Sequence, residues 1–226
     1  MYSIRACNIL RHRYQTLPDA GPGLSGFLQE LYPVQTQIIL ASGSPFRKQL
    51  LDRLQLDFVC LSPDIDETLK PAEDARNYVC RLAESKARQV AADHPDAIVI
   101  GSDQCALLGT KILGKPGSHE NALLQLQEAQ GKSVIFHTGV CVLQLSSGFN
   151  AIEDVLFEVE FRSLSDRQLE HYLHVEQPYQ CAGSFKAEGY GVCLFKKMHG
   201  DDPTALIGLP LIALTEILER AGVAVV

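Results

Sequence analysis

Two hydroxyls and two cations follow a short apolar stretch near residue 40, and their spacing suits phosphate chemistry. The stretch 38–41 predicts a buried strand. Directly after it come Ser42, Ser44, Arg47 and Lys48. A proline after Ser44 favours the start of a helix, and hydroxyls, cations and free helix amides are groups that bind phosphate oxygens. Taken alone, the segment is explained slightly better by an ordinary strand-to-helix turn with solvated cations.

Carboxylates and further cations occur where the predicted sheet can bring them near this turn. Asp103 follows a second predicted strand, 97–100, and ligands of open α/β sheets bind at the carboxyl ends of strands. Glu67 adds a carboxylate on a polar loop, while Lys86 and Lys115 add cations. Glu67 and Asp103 can hold a divalent metal, magnesium or manganese, and lysines can offset the charge of a leaving group. The set fits hydrolysis of a polyphosphate, with Asp103 activating water.

Each of these residues also has an ordinary explanation. Asp103 can be a turn acid, Glu67 a solvated loop residue and Lys86 a cover for a helix face. Each ordinary explanation is the better one for its residue alone, but their occurrence together with the phosphate-binding turn favours a site. No cluster of histidines and cysteines indicates a different kind of metal centre.

Alternating strands and helices must position these groups. The hydrophobic periodicity predicts an α/β fold with a mixed, partly antiparallel sheet and flanking helices. The predicted strands are 38–41, 58–61, 97–100, 134–145 and 157–161, with a hairpin over 107–113. The first predicted helix begins near residue 45, and four more cover 74–93, 118–129, 165–175 and 210–221.

The composition limits the partners of the protein. The chain has 226 residues, of which 46% are hydrophobic, and a formal net charge of −7. Non-specific binders of nucleic acid or anionic membranes have basic surfaces, so neither partner is expected. Seven scattered cysteines without C-x-x-C spacing indicate buried thiols in a reducing cytoplasm rather than disulfides or zinc. No apolar run reaches membrane-spanning length.

The first 36 residues differ from the remainder and are expected to form a non-catalytic extension. They carry scattered arginines and the loose stretch 18–23. Charged residues interrupt their apolar residues, which makes a poor signal peptide. Residues 37–226 are expected to form the catalytic domain.

Several ordered motifs across residues 37–226 give the chain a resemblance to the Maf nucleotide pyrophosphatases. The motifs are L-A-S-x-S-P-x-R at 40–47, D-E-T at 66–68, a helical lysine at 86, G-S-D-Q at 101–104, G-K-P at 114–116, A-G-S-F-K-x-E-G at 182–189 and G-L-P-L at 208–211. The resemblance implies an inosine-triphosphatase-like fold with two lobes around a cleft. It also implies metal-dependent hydrolysis of a nucleoside triphosphate to the monophosphate and pyrophosphate.

The same resemblance implies roles for individual residues. Asp103 matches the proposed proton acceptor of the family. The positions associated with phosphate or metal contact are Ser42, Arg47, Glu67, Lys86 and Lys115.

Three positions concern which nucleotide is bound. The commonest branch of the family acts on dTTP and UTP and carries Arg, Thr and Gln where this chain has Phe46, Gln104 and Glu188. The present set resembles the YceF-type branch, which hydrolyses 7-methylguanosine triphosphate, although that branch often has Trp at the position of Phe46. An aromatic face attracts the cationic methylated base by about 0.5–2 kcal/mol, and Glu188 can accept from the guanine N1–H and amino group.

Two alternative functions stay open at this point. The first is a pyrophosphatase for dTTP and UTP or for noncanonical nucleotides in general. The second is a nucleotide-binding regulator of septum formation, which the intact Asp103, Glu67 and Lys86 make less favourable because a binder needs no water-activating carboxylate. A homodimer is also left open.

Overall fold

A computed structural model describes residues 36–226 of the chain. Apart from Thr36, the predicted N-terminal extension lies outside the described residues, so its boundary stays a prediction. Gln37–Val226 form one compact unit.

A seven-stranded mixed sheet lies at the centre of this unit. Its strands are β1 (Ile38–Leu40), β2 (Phe58–Cys60), β3 (Ile98–Leu108), β4 (Lys111–Leu113), β5 (Ser133–Gln144), β6 (Phe149–Phe161) and β7 (Phe195–His199). Their order is β2-β1-β3-β5-β6-β7, and β4 pairs with β3 outside this path. β1 is parallel to β2 and β3, whereas the other pairs are antiparallel. The prediction of a mixed α/β sheet is confirmed.

Five helices flank the sheet, and most of them begin at a side-chain cap. They are α1 (Pro45–Leu51), α2 (Ala75–Asp93), α3 (His119–Ala129), α4 (Asp166–Glu176) and α5 (Leu211–Arg220). Ser44, Asp74 and Ser118 accept hydrogen bonds from backbone amides of the first turns of α1, α2 and α3. Such caps satisfy amides that have no partner inside the helix. Among residues 36–226, no helix is both long and apolar enough to cross a membrane.

The two largest of the four apolar clusters among the described residues define two lobes of the unit. The first cluster includes Leu50 of α1, Leu214 of α5 and Ile100 of β3. The second includes Leu126 of α3 and Tyr172 of α4. Strands β3, β5 and β6 contribute residues to both clusters, and they therefore connect the lobes.

Strand β3 extends beyond its predicted end, which corrects the placement of Asp103. The polar run 101–104 indicates the end of a strand, yet β3 continues to Leu108 and Asp103 lies in its interior. Pairing with β1 ends at Ile100, and Asp103 pairs with Gly139 of β5 on the other side. A polar run can continue a strand when its side chains find hydrogen-bond partners, and those on either side of Asp103 do so.

The far side of the sheet also differs from the sequence prediction. Only 157–161 was predicted as a strand in this region, but β6 begins at Phe149. β7 was not predicted at all. Both errors have the same cause, because charged residues interrupt the apolar alternation in these two strands, and strand prediction depends on that alternation.

Candidate active site

A cleft of about 560 Å³ contains ten of the residues that the sequence identified as candidates for a site. Lys48, the second cation of the first turn, is the exception, because it is exposed outside the cleft and pairs with Asp52 at 2.9 Å. The walls of the cleft come from the turn after β1, the interior of β3, α2 and the loop before it, the loop before α3, the segment after α4 and the turn before α5. The ten predicted residues that line it are Ser42, Ser44, Phe46, Arg47, Glu67, Lys86, Asp103, Gln104, Lys115 and Glu188. The fold thus brings together groups that are up to 146 residues apart in the chain (188 − 42).

A buried lysine lies between two carboxylates in this cleft. Lys86 Nζ is 2.6 Å from Glu67 Oε1 and 2.6 Å from Asp103 Oδ1. Lys86 is 7% exposed and Asp103 is 8% exposed. A buried ammonium ion is tolerated only when its charge is compensated, so the two carboxylates account for the burial of Lys86.

The residues on either side of Asp103 fix its position. Ser102 Oγ lies 2.8 Å from the Gly139 carbonyl oxygen and 2.9 Å from that of Gly208, and its proton can be donated to either one. Gln104 Nε2 donates to the Ala205 carbonyl oxygen at 2.7 Å. The bonds to Gly208 and Ala205 attach β3 to the loop before α5, so Asp103 is held by its neighbours in the strand.

Gln104 has less freedom to contact a base than the sequence indicates. Its amide nitrogen lies within 3.1 Å of the Leu206 carbonyl oxygen and of Thr138 Oγ1, in addition to its bond with Ala205. Both amide protons therefore have partners inside the protein. The Oε1 atom of Gln104 is the part of the side chain that is left for a ligand.

Arg47 is held in the cleft by the late G-L-P-L motif. Its Nε donates to the Gly208 carbonyl oxygen at 2.8 Å, and Gly208 has a φ of +116°, which favours glycine. Burial lowers the pKa of Arg47 from its ordinary value, while the charges of Asp103 and Glu67 act in the opposite direction. The guanidinium group stays a cation at neutral pH, with its terminal nitrogens available for an anion.

The two serines of the first turn are ordered by local hydrogen bonds. Ser42 Oγ accepts from the Ser44 amide at 3.1 Å, and Ser44 Oγ accepts from the Arg47 amide at 3.4 Å. Ser42 is buried, whereas Ser44 is partly exposed. Each hydroxyl keeps a proton that can be donated to a phosphate oxygen.

The loop that carries Glu67 is positioned by two residues that the sequence analysis missed. Tyr78 Oη donates to the Glu67 carbonyl oxygen at 3.0 Å, and Arg81 Nη2 donates to that of Thr68 at 3.1 Å. Arg81 also pairs with Glu73 at 2.6 Å. Tyr78 and Lys86 are eight residues apart on α2, a spacing that places both toward one face and could have identified Tyr78.

The charges of the cleft shift the pKa values of Glu67 and Tyr78 in opposite directions. Partial burial acts to raise the pKa of Glu67, but hydrogen bonding to Lys86 and the positive charges of Lys86, Lys115 and Arg47 lower it overall. Burial, followed by the charges of Asp103 and Glu67, raises the pKa of Tyr78 to about 12. At neutral pH Glu67 is therefore an anion, and Tyr78 keeps the proton that it donates to the loop.

Lys115 and Glu188 reach the cleft from the lobe that contains α3 and α4. The Gly117 amide donates to the Tyr179 carbonyl oxygen at 2.9 Å, which joins the loop of Lys115 to the segment after α4. Lys186 forms an ion pair with Glu176 at 3.0 Å and thereby holds the turn before Glu188. Lys115 and Glu188 are themselves exposed, so both are accessible to a ligand.

The arrangement combines cations for an anionic ligand with carboxylates for a metal or a proton. The cations are Lys86, Lys115 and Arg47. The carboxylates are Glu67 and Asp103, and an oxygen of each lies 2.6 Å from Lys86 Nζ. Polyphosphates are bound by such cations, and hydrolysis requires a group that orients and deprotonates water. The cleft can therefore support hydrolysis of a phosphoanhydride.

Known proteins similar to this chain share most of its length. A protein from Nitrosococcus oceani named 7-methyl-GTP pyrophosphatase is 53% identical over 190 residues, which cover 84% of this chain and 96% of that protein. A protein of the same name from Alcanivorax borkumensis is 50% identical and covers 82% of this chain and 94% of its own length. A solved HAM1 protein from Coxiella burnetii has a TM-score of 0.39 and 15% identity, covering 56% of this chain and 73% of that one.

The family comparison covers the described unit almost completely. The model of the Maf family, described as Maf-like protein, matches residues 37–221. This match extends over more than half of the chain and agrees with the relatives at 50% identity or more. The chain therefore belongs to the Maf family.

Proposed function

We propose that this protein hydrolyses 7-methylguanosine triphosphate to 7-methylguanosine monophosphate and pyrophosphate. The observation that carries the reaction type is the Glu67–Lys86–Asp103 arrangement in a cleft that also contains Arg47 and Lys115. The substrate follows from relatives at 50–53% identity that are named 7-methyl-GTP pyrophosphatase. The proposal agrees with the residues that line the cleft.

We propose further that Glu67 and Asp103 hold a divalent metal, magnesium or manganese. The donor set fits, because carboxylate oxygens are the ligands that these ions prefer, and both carboxylates already face one positive charge at 2.6 Å. When bound, the metal neutralises phosphate charge and polarises a phosphoryl oxygen.

The side chains of the cleft account for the remaining parts of the reaction. Arg47 and Lys115 bind phosphate oxygens, and Lys86 offsets the charge that develops on the departing pyrophosphate. Asp103 accepts a proton from water as the water oxygen bonds to the α-phosphorus. The bond from that phosphorus to the bridging oxygen breaks, and the electron pair leaves with pyrophosphate.

Phe46 and Glu188 are the proposed readers of the base. Phe46 is partly buried at the wall of the cleft, which gives a cationic base an aromatic face. Glu188 is exposed in the same cleft and can accept from both the N1–H and the amino group of guanine. Uracil and thymine lack this pair of adjacent donors.

A substrate panel tests the proposed specificity. With 7-methylguanosine, guanosine, uridine and thymidine triphosphates, we expect kcat/KM to favour the methylated nucleotide by at least about tenfold, a usual range for one pocket contact. Pyrophosphate and monophosphate should form in equal amounts. The Asp103→Asn protein, purified in parallel, controls for contaminating phosphatases.

The panel also separates the alternatives. Preference for uridine and thymidine triphosphates would support the pyrimidine pyrophosphatase. Similar rates for several modified nucleotides would support a general one. Tight nucleotide binding without pyrophosphate release would instead indicate the regulator.

Metal removal gives a second test. After treatment with EDTA, pyrophosphate release should fall to the background rate, and magnesium or manganese should restore it. The reason is that the net charge of the cleft residues does not neutralise a triphosphate without a divalent ion. Full activity of the metal-free protein would contradict the metal proposal while leaving the substrate proposal in place.

A further inference from the structure

Three side chains on the lobe of α3 and α4 form a cluster of metal-binding type outside the cleft. His119 is the first residue of α3, while Glu170 and His174 are one turn apart on α4. One ligand atom from each residue lies within 4.8 Å of the others. No local pattern in the sequence indicates this cluster, because 51 residues separate His119 from Glu170.

Both ring nitrogens of His119 have partners that suit a metal-binding histidine. Its Nε2 lies 2.7 Å from Glu170 Oε2, and its Nδ1 lies 2.9 Å from Tyr179 Oη. Histidines that bind metals commonly use one ring nitrogen for the ion and donate the proton of the other to an oxygen. Tyr179 Oη is such an oxygen for Nδ1, which leaves Nε2 for an ion shared with Glu170.

His174 is likewise held in the tautomer that carries its proton on Nδ1. Its Nδ1 lies 2.8 Å from the Glu170 carbonyl oxygen. A carbonyl oxygen only accepts, so Nδ1 carries the proton and Nε2 carries the lone pair that can bind a metal. The side chain of His174 is 72% exposed, and it can turn toward an ion without disturbing the apolar packing.

We propose that His119, Glu170 and His174 bind one transition-metal ion of the zinc and cobalt class. Two imidazoles and one carboxylate suit zinc or cobalt, whereas magnesium prefers oxygen ligands alone. The ligand atoms of a tetrahedral zinc site lie roughly 3.3 Å apart, as metal–ligand distances of about 2.0 Å require. His119 Nε2 lies 2.7 Å from Glu170 Oε2, and His174 approaches the same oxygen with Nδ1 at 3.7 Å, so the exposed His174 ring would have to rotate to present its Nε2 to the ion.

Such an ion would connect three segments near the nucleotide cleft. It would join the start of α3 to α4, and Tyr179 links His119 to the segment after α4. Gln180 and Cys181, which follow Tyr179 in the chain, line the cleft. The site would therefore stabilise one wall of the cleft, and this inference does not depend on the proposed function.

Cobalt binding in the presence of excess magnesium tests the inference. Magnesium occupies oxygen-only sites, and the visible absorption of cobalt reports coordination by nitrogen ligands. We expect one Co²⁺ per chain in the wild-type protein, and at least tenfold weaker binding after His119→Ala or His174→Ala. His171→Ala is the matched control, because His171 is also an exposed histidine of α4 but lies outside the cluster.

Thermal unfolding provides a second readout that does not involve activity. At a hundredfold excess over the dissociation constant, Zn²⁺ should raise the Tm of the wild type and of His171→Ala by roughly 5–10 °C. His174→Ala should show no such shift, although its exposed position lets it fold normally. The absence of stoichiometric cobalt in the wild type, or unchanged affinity in both His119→Ala and His174→Ala, would overturn the inference.

Discussion

Replacing Asp103 by Asn should lower the turnover of the nucleotide substrate by at least about 10²-fold, the usual contribution of a positioned base. The amide cannot accept a proton from water at neutral pH, and it offers a weaker ligand to a metal. KM should change less than turnover, since Arg47, Lys86 and Lys115 still bind the phosphates. Steady-state kinetics at saturating substrate and metal measure both quantities.

The stability of the Asp103→Asn protein should stay close to that of the wild type. Lys86 is left with Glu67 at 2.6 Å, and the amide oxygen can still accept from the ammonium group. We therefore expect the free energy of unfolding to change by no more than about 1–2 kcal/mol. Asp154→Asn is the matched control, because Asp154 is a buried carboxylate paired with His137 outside the cleft. Near-wild-type turnover of Asp103→Asn would remove Asp103 from the mechanism.

The sequence was sufficient to predict most of the residues that meet in the cleft, because several of them follow a local signal. The strand that ends before Ser42, the proline that starts α1 and the apolar stripe of α2 are all patterns of a few residues. These patterns place Arg47 and Lys86 on elements that converge once the sheet forms. Membership of the ordered motifs then selected Lys115 and Glu188, which have no local pattern of their own.

The sequence was not sufficient where a contact depends on distant parts of the chain. Asp103 looked like a residue at the end of a strand, since polar neighbours usually mark a turn. The bonds that allow β3 to continue come from Gly208 and Ala205, about 100 residues away. His119 was missed for the same reason, because its partners Glu170 and Tyr179 are 51 and 60 residues away.

Glu188→Gln should weaken discrimination in favour of 7-methylguanosine triphosphate by roughly 1–3 kcal/mol, the usual cost of mispairing a polar edge. The substitution keeps the shape of the side chain but removes its charge and one acceptor, so guanine loses a partner for one of two donors. Because Glu188 is exposed, folding should be unaffected. Glu120→Gln, an exposed residue of α3 outside the cleft, serves as the control.

Substitutions of Phe46 complete the test, because they change the attraction of the pocket for the positive charge of the methylated base, whereas Glu188→Gln changes the hydrogen bonding to guanine. Phe46→Trp should hold or improve kcat/KM for the methylated nucleotide, as indole is the stronger partner for a cation. Phe46→Arg should reduce it, since a positive charge would then face a cationic base, while unmethylated guanosine triphosphate should be less affected. Arg at 46 combined with Gln at 188 should shift preference toward uridine and thymidine triphosphates. The measurement is kcat/KM for the four nucleotides on each variant. An unchanged ranking in all of them would show that neither Phe46 nor Glu188 reads the base.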